Sequence, residues 1–184
     1  MKMLKRLMLS IVILACIPVA LAAGRDVENH PGFVDFSRLA IIAGTEPKVE
    51  ISLKAPLLNM ITNLIRNEDE QAAEFISKLL RVTVNVYASN TIDVDEISGS
   101  MSSIADDLDS QGWDRVVRIR EDSDHVDIYF RLSEDALVIY GIAIMVAGPN
   151  EVVLVNIVGD INTDDISALG RRFNIDELVD LDLN

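Results

Sequence analysis

The chain has 184 residues, 30 acidic against 16 basic for a net charge of −14, and 49% of them are hydrophobic. That length favours one domain and that apolar fraction supports a sizeable core, which excludes a disordered chain. So acidic a surface repels nucleic acid and anionic lipid, so no nucleic-acid partner is expected.

Lys2, Lys5 and Arg6 precede an apolar run from Leu7 to Ala23, and Ala20-Leu21-Ala22 has the A-x-A form of a cleavage site. Residues 1–22 therefore read as a secretory signal peptide and residues 23–184 as a single globular domain, exported to the periplasm. The alternative is a lipid-anchored envelope protein acylated at Cys16, because Ile13-Leu14-Ala15 forms a weak lipobox before it; apolar rather than polar residues follow, which disfavours this route. The run is shorter than the ~20 apolar residues a spanning helix needs, so no transmembrane helix is expected in the mature chain. Loss of the signal removes three of the 16 basic residues, leaving 13 against 30 acidic and a net of −17. It also removes the only cysteine, so the mature core forms no disulfide.

Residues 23–30 are polar, and Phe33, Val34 and Phe36 supply an apolar anchor after Pro31-Gly32. Beyond a turn at Thr45-Glu46-Pro47, Val49, Ile51 and Leu53 alternate with Glu50, Ser52 and Lys54, the pattern of a half-buried strand. Ala55-Pro56 opens a helix with a stripe of Leu57, Leu58, Ile61, Leu64 and Ile65, Asn67 to Asp69 breaks it, and a second helix groups Ala72, Phe75, Ile76, Leu79 and Leu80. A strand over Val82 to Ala88 follows. Asp93 and Glu96 then have capping-box spacing before a third helix whose buried stripe is Ile97, Met101, Ile104 and Leu108. Gly112 is placed to close that helix in a left-handed conformation, with Trp113 as the accompanying hydrophobic contact rather than a ligand platform.

Strands over Arg115–Arg120 and His125–Leu132 lead into the most apolar stretch outside the N-terminus, Ala136 to Asp160, which reads as a buried hairpin turning at Gly148-Pro149-Asn150. On its first strand Val138, Tyr140, Ile142, Ile144 and Val146 share one face, and Ile139, Gly141, Ala143 and Met145 the other. Both faces are apolar and need cover. If helices cover only the first, the face with Ile139, Ala143, Val153 and Val155 stays open and favours a homodimer; four helical segments can cover both, and a monomer is expected. Asn156, on a face with Val152, Leu154 and Val158, must be hydrogen-bonded if buried, and reads as a tie between a loop and the sheet. Thr163 can cap a last helix, and Asn174 with Glu177 repeats the capping-box spacing before Leu178 and Val179.

Little of this assembles into chemistry. His30 and His125 are the only histidines, and neither lies in a nucleophile motif. Asp160-Ile161-Asn162-Thr163-Asp164 begins like a calcium loop, but Asp165 stands where the turn glycine belongs and Arg171 where the bidentate Glu belongs. No spacing supports zinc, and 30 acids do not single out a glycosidase pair. On the strand pair, alternation sends Val117, Ile119, Val126, Ile128 and Phe130 to the core and Arg118, Arg120, Asp127, Tyr129 and Arg131 outward together. Three arginines beside a tyrosine suggest a partner surface; alternatively they neutralise Asp127 and the turn acids across the strands.

His30-Pro31-Gly32-Phe33-Val34-Asp35-Phe36 behind a signal peptide, Pro47-Lys48-Val49-Glu50-Ile51, Gly112-Trp113 and the run from Glu151 to Asp160 resemble the bacterial family described as domain of unknown function 4252. Asn156-Ile157-Val158-Gly159 is the most specific piece, and the resemblance covers nearly all of the chain after the signal. It implies an exported single-domain protein with lipoproteins among its relatives, and supplies no activity or catalytic residue.

The expected fold is α+β: a mainly antiparallel sheet of about six strands in the order β-α-α-β-α-β-β-β-β-α, with helices on at least one face and a doubly wound parallel fold as runner-up. The expected function is a non-catalytic exported interaction module that binds an envelope protein or small ligand without a cofactor; a carboxylate-dependent hydrolase is the alternative.

Overall fold

Alternation, turn chemistry and caps all act locally in this chain, and the computed structural model describes their outcome for residues 27–37, 46–88, 94–121 and 124–162. Strand β1 (Val49–Lys54) runs straight into helix α1 (Ala55–Ile65), with Pro56 in the first turn where its missing N–H costs nothing. Helix α2 (Glu70–Ser77) is capped by Asp69, whose carboxylate accepts from Ala72 N–H at 3.0 Å. Strand β2 (Leu79–Ala88), helix α3 (Val94–Ser110) and strands β3 (Asp114–Glu121), β4 (Asp124–Leu132), β5 (Val138–Ala147) and β6 (Glu151–Asn162) follow.

The six strands form one sheet in the order β1-β2-β6-β5-β4-β3, with every neighbouring pair antiparallel. The fold is therefore α+β with the sheet dominant, and the parallel alternative is excluded. Strands β3 to β6 make the meander that consecutive hairpins dictate. No helix among the described residues is long and apolar enough to cross a membrane. The expected caps at Asp93, Thr163 and Asn174, and the signal peptide with Cys16, lie outside the described residues.

Two expectations need correction. Leu79 and Leu80 belong to β2 rather than to the second helix: α2 ends at Ser77, Leu79 pairs with Gly159, and Asp160 N–H donates to Lys78 O at 3.1 Å. Pairing with the central strand β6 satisfies backbone groups that another helical turn would leave beside the sheet. In β5, a register shift between Ile139 and Gly141 moves Ile139 into the cluster of Ile142, Leu58 and Phe130. Farther along, Ala143 pairs with Asn156 and Ile144 with Val155, so Val153 and Val155 share a face with Ile144 and not with Ala143.

Each face has its own core. Helix α3 and the 33–36 segment bury Met101, Ile104, Leu108, Val34 and Phe36 against Tyr129, Met145 and Leu154. Gly112, at φ +77°, ends α3 with paired bonds from its own N–H to Asp109 O and from Trp113 N–H to Leu108 O, which brings Trp113 into the same cluster as Leu108. On the opposite face α1 buries Leu58 over Ile139, Ile142, Phe130 and Ile161.

Candidate functional site

Arg118, Arg120, Asp127, Tyr129 and Arg131 share a face, but it is the face under α3. Tyr129 is fully buried and Asp127 is 2% exposed, so they do not form an outward patch. Asp127 accepts from Arg118 Nε at 2.9 Å and from Arg120 Nη2, while Arg131 Nη1 donates to Gly112 O at 2.7 Å. Arg115, which sequence reading left aside, lies over the Tyr129 ring and donates to its hydroxyl at 3.2 Å. Burial pushes the Asp127 carboxyl up, but the hydrogen bonds and charges of Arg120 and Arg118 outweigh it and hold the group below the ordinary range. These arginines brace the sheet. Alternation identifies which residues share a face; it does not identify which face a distant helix covers.

The N-terminal segment crosses this same face backbone to backbone. A Cβ on Gly32 would stand 1.8 Å from Tyr140 O, and one on Gly141 would stand 2.4 Å from Gly32 O, so only a glycine pair permits the crossing. Asn156, 3% exposed, accepts from Val34 N–H at 3.0 Å and donates to Gly32 O at 3.0 Å and Ile142 O at 3.3 Å. His30 accepts from Gly32 N–H through Nδ1 at 3.1 Å, places Nε2 3.5 Å from Asp160, and stands edge-on to Tyr140. Histidine, asparagine and glycines thus fix one segment to the sheet.

Between that segment and α3 lies a cavity of about 410 Å³ with an apolar floor of Phe33, Val34, Ile104 and Leu108 and with Glu28, Asp35 and Asp107 among its polar lining. No group of three His, Cys, Asp or Glu among the described residues could hold a metal ion.

The most extensive feature is on the α1 face. Register places Ile51, Val84, Val155, Ile144, Ile128 and Val117 in one row across all six strands, and Val49, Val86, Val153, Val146, Val126 and Ile119 in the next. All twelve are Val or Ile and none is buried; Val49, Ile51 and Ile119, on the two edge strands, are each 41% exposed. Helix α1 covers the row beyond, around Ile142 and Phe130; Ile128 and Ile144 pack against the margin of that core, and the rest of the two rows runs on from it as an apolar strip. Alternation sends Val117, Ile119, Val126 and Ile128 to the core, and an open apolar face enters the expectations only at Val153 and Val155, grouped there with Ile139 and Ala143. The signal that could have found the strip is that the same alternation repeats in six strands while the α1–α2 hairpin is too short to roof six strands along their whole length.

No curated protein and no solved structure matches the chain. A family model does match, over residues 45–169, which take in every described strand and helix from β1 to β6 and leave His30 to Phe36 outside. The chain belongs to the family described as Domain of unknown function (DUF4252).

Proposed function

We propose that this protein is an exported, envelope-facing interaction module without catalytic activity, and that its docking surface is the Val/Ile strip. The strip carries the reading. Six strands at ~4.8 Å and two rows of ~6.8 Å give the strip an apolar footprint of roughly 400 Å², on the scale of the apolar patches that are commonly functional. On a chain of net charge −14 it is an uncharged island. Its shape and surroundings suit the apolar face of an amphipathic, basic helix from an envelope protein, the helix-in-groove mode of recognition. The signal-peptide pattern at residues 1–22 supports the location.

Replacing Ile51 and Ile119 together by Ser tests this. Both side chains are already two-fifths exposed, so stability changes by less than about 1 kcal/mol while recovery of the envelope partner falls about tenfold. Undiminished recovery removes the strip from the account.

A second reading, a carboxylate-dependent hydrolase, draws support from the cavity with Glu28, Asp35 and Asp107 in its lining. Turnover on a panel of glycosides and esters, abolished by Glu28→Gln or Asp107→Asn, would favour it over the module.

A further inference from the structure

The two long sides of the strip differ in chemistry. On one side stands α1, whose Leu58 and Thr62 are buried while Leu57, Met60 and Leu64, at helical spacing, are 38, 52 and 69% exposed and add to the apolar surface on this side of the sheet. On the other side the alternation of β6 and β3 carries on past Val153 and Ile119 to Glu151 and Glu121, the next residues on that face. Both glutamates are exposed, and neither is in an ion pair among the described residues. Arginines of the sheet stand on the opposite face: Arg81 lies over Phe33, Arg115 over Tyr129, and Arg118 and Arg120 hold Asp127. The strip is thus bordered by apolar side chains along α1 and by acids along its far margin.

Strand spacing measures what can dock there. Glu151 on β6 and Glu121 on β3 are three strands apart in the sheet, about 14 Å. A helix lying along the rows presents the same flank again after seven and after eleven residues, about 10 and about 16 Å along its axis, which bracket that separation. Resting on the reading of the strip as a docking face, we propose that its occupant is an amphipathic helix of an envelope protein with Lys or Arg at i and i+7 or i+11 along a single flank, and that Glu121 and Glu151 select it. The apolar face of that helix lies on the strip, its basic flank meets the two carboxylates, and its uncharged flank lies toward α1. A second copy of this chain is a poorer match. The strip offers about half of the ~800 Å² that each partner of a standard dimer contributes, and the copy brings the same acids to the contact.

The test uses the purified protein and synthetic helical peptides of about 18 residues, long enough to cross the strip. One carries leucines on one face and lysines at i, i+7 and i+11 on one flank; a second has glutamine in place of lysine, and a third has its leucines scattered around the helix. Binding is followed by fluorescence anisotropy. The lysine peptide is expected to bind more tightly than the other two. Glu121→Gln with Glu151→Gln should weaken it about fivefold at low salt and leave it unchanged in about 1 M salt, where the screening length is about 3 Å. Ile51→Ser with Ile119→Ser should remove binding at both salt concentrations. If the glutamine variant binds the lysine peptide as the wild type does while the serine variant loses it, the carboxylates do not select the partner, and the proposal fails with the docking face intact. If the serine variant keeps full binding, the strip is not the docking face and both readings fall. Failure of the lysine peptide to bind the wild type, or equal binding of the scattered peptide, also overturns the proposal. So does a sedimentation mass of twice the chain's that the serine variant loses, which makes a second copy the occupant, or binding to zwitterionic phospholipid vesicles that the serine variant loses, which makes the strip a membrane surface.

Discussion

Val34 and Asn156, 122 positions apart, are joined by a buried 3.0 Å hydrogen bond from the backbone N–H of one to the side-chain oxygen of the other. The same amide holds Gly32 O from its nitrogen, so one side chain satisfies both a donor and an acceptor of the crossing segment. Asn156→Leu removes both partners and strands two buried backbone groups, each costing about 1–3 kcal/mol. Denaturant unfolding of this variant is expected to show a loss of several kcal/mol, with Asn156→Asp intermediate because it keeps the acceptor. Wild-type stability in Asn156→Leu would mean that the segment is held by other contacts.

Gly32→Ala and Gly99→Ala make an internal control. The first places a methyl group 1.8 Å from a carbonyl oxygen and must push the segment off β5; the second meets nothing within 4 Å and sits in helix α3. Gly32→Ala should lower the melting temperature sharply, whereas Gly99→Ala should raise stability by about 0.5–1 kcal/mol through reduced chain entropy and better helix propensity. Equal effects would contradict the close crossing.

Asp127 gives the sheet a pH dependence. Its folded pKa lies below the ordinary carboxylate value despite burial, because Arg120 and Arg118 hydrogen-bond to the charged form. The associated stability is therefore fully present above about pH 4 and is lost as pH falls through the folded pKa. Asp127→Asn should flatten that acid-side loss in denaturation midpoints measured between about pH 2 and 5, the arginines remaining solvated at the surface. A variant with the wild-type slope would place the acid sensitivity elsewhere.

Export is checked by mass spectrometry of the protein from its native cell. The expected N-terminus is Ala23; an acylated Cys16 would establish the lipid-anchored form, and an intact Met1 would remove export from the account.

Much of the architecture was legible because it is local. Alternation in Val49–Lys54 and Arg115–Leu132, the Gly148-Pro149-Asn150 turn and the closing Gly112 each fix their own conformation. What was not legible depends on tertiary pairing. Leu79 reads equally as helix or strand until β6 lies beside it, the shift after Ile139 reverses one side chain, and nothing in Tyr129 or its neighbours says that α3 will lie above them. The strip is the same problem inverted, since each of its valines looks like core within its own strand.

The most direct measurement is a cross-linking map in the native envelope, with a photoreactive residue placed at Ile51, Val155 or Ile119 on the strip and at Ser52 or Arg118 on the other face. The account predicts adducts to another envelope protein from the strip positions, and none from Ser52, one residue along the same strand with its side chain on the opposite face. Adducts from Ser52 and Arg118 as abundant as those from the strip, or none from any strip position, would contradict it.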